Sequence, residues 1–352
     1  MADAPLKPRD AVIRMAPYSP PTGGRLDKLR MDFNENTVGC SPRIALFLRD
    51  NITQALMSVY PDYTGVREAL APHFGVDPAQ ILLTNGTDEA IQVIVNTYVD
   101  DNDEVLLMRP SYAMYRFYSE VAGANVKEID YRAPDFTLPV EELLDAITPR
   151  TRAILIANPN NPTGTGIGLD AIECILARAP QAAVLIDEAY YEFSGVTAIA
   201  MLSRYRNLFV SRTFSKVYGM AAMRMGCVFS QEANIAFLHK AQSPYSVNTL
   251  AAMAAAEAVK DTEYINRYVT EALAARDLLC KGLERLGIPY TPSSANFVLG
   301  HFGRRAIEIR DALRGRAILV RDRSYEIPGG VRITVGTCEQ TERVVNELDR
   351  IW

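Results

Sequence analysis

The stretch RTFSKVYGMAAMR, residues 212–224, sets Lys216 among apolar and small residues with Arg224 eight positions beyond it. A lysine in such surroundings ordinarily sends its ammonium to solvent along a buried stem. Desolvated beside other cations, the same amine becomes nucleophilic and basic near neutral pH. Asp187 closes the apolar run AAVLID, and an acid at the carboxyl end of a buried strand stands where open α/β sheets place their ligands. Ionised, it would hold a cationic ring nitrogen protonated. A metal is the other candidate, but His73, His239 and His301 are dispersed without ligand spacing, so no metal site is expected.

Two glycine-containing turns precede these residues. In TNGTDEAIQVIVNTYV (84–99) a strand ends in a turn and a helix begins at once. Its first backbone N–H groups could hold a phosphate, although this stretch alone reads more readily as an ordinary helix start with Asp88 and Glu89 complementing the dipole. The G-K-[ST] ending of a nucleotide P-loop is absent. The glycines of NPNNPTGTGIG (158–168) do not fit G-x-G-x-x-G. That segment reads as a rigid turn projecting Asn160 or Asn161 from the carboxyl edge of the sheet.

The elements that must hold these groups follow from apolar patterning. ILLTN (81–85), EVLLM (104–108), AILIAN (153–158), AAVLIDE (182–188), LFVS (208–211) and GCVFS (226–230) alternate with helical stretches, the mark of a mostly parallel sheet between helices. Residues 249–286 keep helical periodicity, and NFVLG, AILVRD and VRITVG supply a smaller α+β unit beyond them. The expected division is an arm over 1–40 that joins the small domain, a large domain over 41–248, and a linking helix with the small domain over 249–352.

Composition narrows the partners. With 37 Lys and Arg against 42 Asp and Glu the net charge is −5, and no basic run is interleaved with aromatics, so a small molecule is expected rather than nucleic acid. Five scattered cysteines, odd in number and without C-x-x-C, read as reduced thiols. The proline-rich start lacks an apolar signal core and no run has membrane length, so a cytoplasmic protein is expected.

An ordered series runs through nearly the whole chain: DFNEN (32–36), YPDYTG (60–65), NGTDEAI (85–91), RPSYAMY (109–115), NPNNPTG (158–164), DEAYYEF (187–193), RTFSK with Arg224, ANFVL (295–299) and VRITVG (331–336). The series resembles the fold type I pyridoxal-phosphate enzymes, specifically the class I/II aminotransferases and most closely their histidinol-phosphate aminotransferase branch. The resemblance implies that Lys216 carries the cofactor covalently and later moves a proton, while Asp187 pairs with its ring nitrogen. It further implies that Tyr190 and Asn161 bond the ring oxygen and that Tyr112 stacks on the ring. Gly86, Thr87 and Asp88 at the helix start, with Thr213, Ser215 and Arg224, would surround its phosphate. Tyr60 would reach the cofactor of a neighbouring subunit, which implies a homodimer.

On the substrate side the resemblance assigns Arg332 to the α-carboxylate, Asn36 to the same end, Arg321 to a substrate phosphate and Tyr18 to the arm. The implied activity is transfer of an amino group between histidinol phosphate, or an aromatic amino acid, and 2-oxoglutarate by ping-pong kinetics. Two departures stand out: Thr37 replaces the family's proline after N-E-N, and the segment between Arg321 and Arg332 is shorter than in many members. An aromatic aminotransferase or a decarboxylase of the threonine-phosphate type would use the same cofactor residues.

Overall fold

In the computed structural model, residues 6–16 and 23–352 are described. Among the described residues there are twelve strands: β1 (Leu29–Met31), β2 (Ile81–Thr84), β3 (Glu104–Arg109), β4 (Asn125–Asp130), β5 (Thr151–Ala157), β6 (Ala183–Asp187), β7 (Leu208–Thr213), β8 (Gly226–Phe229), β9 (Tyr290–Thr291), β10 (Phe297–His301), β11 (Ile318–Asp322) and β12 (Gly330–Thr334). Seven form one sheet in the order β2-β8-β7-β6-β5-β3-β4, and five form a second in the order β1-β11-β12-β10-β9.

In the larger sheet only β8 runs against its neighbours, so β2, β3, β4, β5, β6 and β7 all end at one edge. The central strands are apolar throughout because both faces are covered. Alternate residues of β5 enter different cores, Ile154 and Ile156 on one side and Ala153 and Leu155 on the other. Each buried isoleucine or leucine among them contributes about 1.5–3 kcal/mol. Helix Gly86–Tyr98 covers one face through Ile91, Ile94 and Val95, as its periodicity predicts.

Every apolar run read as a strand is one, with ends shifted by a few residues. β4 does not announce itself, because NVKEID lies at the sheet edge, partly exposed on both faces, and carries no continuous apolar run. The helical stretch from 249 is two helices, Thr249–Ala258 and Thr262–Arg285. The break between them is fixed by Asp261, whose carboxylate accepts the Tyr264 backbone N–H at 3.2 Å.

The smaller sheet takes in a strand from the chain's beginning: β1 pairs in parallel with β11, matching Leu29 to Ile318. Residues 33–36 then run from this sheet toward the carboxyl edge of the larger one. No helix among the described residues is long and apolar enough to cross a membrane.

Candidate active site

A cleft of about 560 Å³ opens at the carboxyl edge of the large sheet, with β11 and β12 forming its opposite wall. Asp187, the last residue of β6, lies in it only 4% exposed. Its carboxylate accepts the Tyr115 hydroxyl on one oxygen and the Ser211 hydroxyl on the other, each at 2.8 Å. Burial raises its pKa and these two donors oppose the rise.

Lys216 follows β7 in the segment linking it to β8. Thr213 pairs with Gly226 at the base of that segment, so Thr213, Ser215, Lys216 and Arg224 all belong to one hairpin loop. The Ser215 backbone N–H donates to Thr213 Oγ1 at 3.1 Å. Lys216 Nζ donates to the Phe33 carbonyl at 3.0 Å and stands 5.7 Å from the Tyr190 ring centroid. Burial first, and then the charge of Arg332, bring its pKa down to about 8; Arg224 acts the same way, while Glu35 and Asp88 oppose.

Gly86 begins its helix with φ +73°, and a Cβ there would lie 2.6 Å from Arg224 Nη2. Only a glycine lets the guanidinium and the bare helix start approach so closely. Arg224 Nη2 donates to Asp88 at 3.1 Å, and the other Asp88 oxygen accepts the Tyr112 hydroxyl at 2.8 Å. Thr87, Asp88, Tyr112, Thr213 and Ser215 all line the cleft.

The two asparagines left open by the sequence separate clearly. Asn160 is fully buried, accepting from Ser111 and donating to the Pro110 carbonyl and to Thr163, and so braces the loop. Asn161 lines the cleft and accepts a bond from Arg332 Nη1, while Arg332 Nη2 donates to the Asp32 carbonyl at 2.6 Å. Arg332 Nε is buried without a partner. Tyr190 lines the same wall and accepts the Asn34 amide at 2.9 Å.

Arg321 lies in the cleft 5.4 Å from the Phe33 ring centroid, with no hydrogen bond or ion pair to another described residue. Of the remaining expected residues, Asn36 and Tyr60 do not line this cleft, the latter having been expected at a neighbouring subunit, and Tyr18 is not among the described residues. Asn36 is turned inward: its amide donates to the Val217 carbonyl at 3.0 Å and its oxygen accepts the Val38 and Gly39 backbone N–H groups. It fixes the backbone beside Lys216, and Asn34 is the asparagine of DFNEN that reaches the site. Tyr60 is 76% exposed and stacks on Tyr245 at 4.3 Å, away from the cleft of its own chain.

Other participants were not legible. Tyr115 and Ser211 look like ordinary core residues until their hydroxyls are seen on Asp187. Arg25 forks onto both Asp32, at 2.7 and 3.2 Å, and Glu35, at 2.8 and 3.0 Å, which fixes the segment that offers the Phe33 carbonyl to Lys216.

Comparison with known proteins identifies the family and the fold. The family described as aminotransferase class I and II matches residues 27–348. A histidinol-phosphate aminotransferase of Symbiobacterium thermophilum is 36% identical over 97% of both chains, and one of a Geobacillus species is 34% identical over 93% of this chain and 91% of its own. Among solved structures, the histidinol-phosphate aminotransferase of Clostridium acetobutylicum superposes with a TM-score of 0.84 at 25% identity, covering 92% of this chain and 98% of that one. The Sinorhizobium meliloti enzyme, solved with pyridoxal 5′-phosphate, shares the fold with a TM-score of 0.87 at 23% identity, covering 99% and 98%. A sheet edge that gathers an acid, a depressed lysine and a glycine-opened helix start is thus met in a chain that belongs to the class I and II aminotransferases.

Proposed function

We propose that the chain is a pyridoxal-phosphate-dependent aminotransferase exchanging an amino group between histidinol phosphate and 2-oxoglutarate. The observation that carries the reading is Lys216, an amine brought to about pH 8 in the cleft that also holds Asp187 and the Gly86 helix start. The residues present fit the cofactor. Gly86 leaves backbone N–H groups and Arg224 in reach of a phosphate, and buried Asp187 offers a carboxylate to a cationic ring nitrogen. When bound, pyridoxal phosphate supplies a carbonyl carbon that condenses with amines and a ring that accepts an electron pair from the substrate Cα.

The protein's own groups do the rest. Lys216 Nζ, its pKa lowered to about 8, would hold the cofactor and serve as the base for the proton on substrate Cα. Asp187, held by Tyr115 and Ser211, would keep a cationic ring nitrogen protonated. Asn161 has its oxygen committed to Arg332, so its amide N–H group would be the donor it offers to the cofactor, with Tyr190 the other candidate. Arg332 is suited to the α-carboxylate of glutamate and 2-oxoglutarate, and Arg321 to the phosphate of the donor.

The exposed Tyr60–Tyr245 pair supports a homodimer in which Tyr60 serves the neighbouring cofactor. The division at residues 41–248 and 249–352 is read as a cofactor-holding domain and a substrate-closing one. A panel of amino donors with 2-oxoglutarate tests the assignment, and histidinol phosphate should give the highest kcat/KM. A preference for phenylalanine would replace it with an aromatic aminotransferase. Carbon dioxide release without an oxo product would replace it with a decarboxylase.

A further inference from the structure

Beyond Arg321, the chain turns through Arg323 to Tyr325 and Glu326 before returning along β12. Arg321 and Arg323 lie on one side of this run. Asp322, between them, sits 3.7 Å from Arg310, away from the cleft. Arg323 is 8% exposed and borders both the cleft and an adjoining hollow of about 740 Å³. Its Nη2 bonds Glu326, and its Nε is sealed without any partner. Its Nη1 makes no hydrogen bond among the described residues, and the residue lines both cavities.

Charge does not balance on this wall. Arg224 is answered by Asp88, and Arg25 by Asp32 and Glu35. Arg323 and Arg332 both act on one carboxylate, Glu326, whose burial raises its own pKa, and Arg321 has no ion pair among the described residues. A guanidinium buried to this depth with a donor edge left over is suited to an anionic group brought by a ligand.

We propose that Arg323 is a specificity-determining residue: with Arg321 it forms a two-guanidinium seat for the phosphate monoester of the amino donor, and Glu326 holds it in place from behind. The proposal rests on the phosphorylated-donor reading above. Two arginines suit the dianion of a phosphate monoester, which a neutral aromatic ring cannot match.

The test uses the cofactor-loaded enzyme and two measurements. The first compares KM for histidinol phosphate with KM for phenylalanine in wild type, Arg323→Gln and Arg323→Lys. The second titrates phenyl phosphate, a phosphate monoester without an amine, by calorimetry. Arg323→Gln should raise both the histidinol-phosphate KM and the phenyl-phosphate Kd by about tenfold, with kcat/KM for phenylalanine changed by less than about twofold. Arg323→Lys should recover part of the loss, since it restores charge without the fork.

Equal losses for histidinol phosphate and phenylalanine would mark Arg323 as a brace of its loop and overturn the proposal. Unchanged phenyl-phosphate binding in Arg323→Gln would overturn it as well. Should wild type fail to use histidinol phosphate, the substrate reading falls, and the calorimetric arm alone still decides for or against the seat.

Discussion

On the large-sheet wall of the cleft, the carboxylates and the buried asparagine are partnered from within that wall: Asp187 by Tyr115 and Ser211, Asp88 by Tyr112 and Arg224, Asn160 by Ser111 and Thr163. On the small-sheet wall, Arg321 has no polar partner among the described residues, and Arg332 reaches across to Asn161 and to the Asp32 carbonyl. On the proposed function the first wall would meet a resident group with donors already fixed. The second would offer its positive charge to incoming substrates.

The largest expected effect removes the residue on which the first wall depends. Lys216→Ala should lower kcat by about 10⁴-fold or more, since nucleophile and base are lost together. Retention of even a tenth of the activity would break the distinction between the walls.

The same side chain also sets a pH dependence. Unfolded, the amine keeps its ordinary value of 10.5; folded, burial and Arg332 bring it to about 8. Between those values the unfolded chain holds a proton that the folded chain does not, so stability rises with pH across that window. Cofactor-free Lys216→Met should therefore be more stable than cofactor-free wild type at pH 7, by up to about 3 kcal/mol. The advantage should shrink as pH passes 8 and vanish above 10.5, and denaturant melts at pH 7 and 10 would read it. An advantage independent of pH would show that packing, not proton linkage, is responsible.

The second wall answers to substrate. Arg321→Ala should reduce kcat/KM for histidinol phosphate by about 30-fold, near 2 kcal/mol, and leave phenylalanine within about threefold. Equal losses would deny Arg321 a role at the phosphate. The mildest change returns to the first wall: Tyr115→Phe removes one of the two hydroxyls on Asp187 and should cost about fivefold in kcat, near 1 kcal/mol. Because Tyr115 lowers the Asp187 pKa, the variant should also lose activity at a higher pH than wild type as acid is added. No displacement of that limb would mean that Ser211 alone fixes the carboxylate.

The first wall was the more legible from sequence, for a physical reason. Asp187 and Asn161 follow continuous apolar strands and Lys216 follows another, so their place at a sheet edge could be read from the strands themselves. The second wall depends on pairing between distant segments. Leu29–Met31 is too short to declare its partner, and the Arg321–Arg332 register appears only once β11 and β12 are paired. Asn34 and Asn36 differ by two positions in one motif, and local composition could not tell which faces the cleft. Tyr115 was hidden because a buried tyrosine at the start of a helix reads as packing.

The strand that runs against its neighbours gives the lysine loop an unusual kind of inheritance. Because Thr213 and Gly226 are paired, the loop leaves and re-enters the sheet at one place, and no crossover helix intervenes. Lys216 and Arg224 are therefore carried as a single cassette. Variation elsewhere can reshape the substrate wall without altering the spacing between the amine and the guanidinium, whereas an insertion within the loop would change both positions at once. If the two residues serve as proposed, amine and phosphate anchor would keep their spacing through any change made outside the loop.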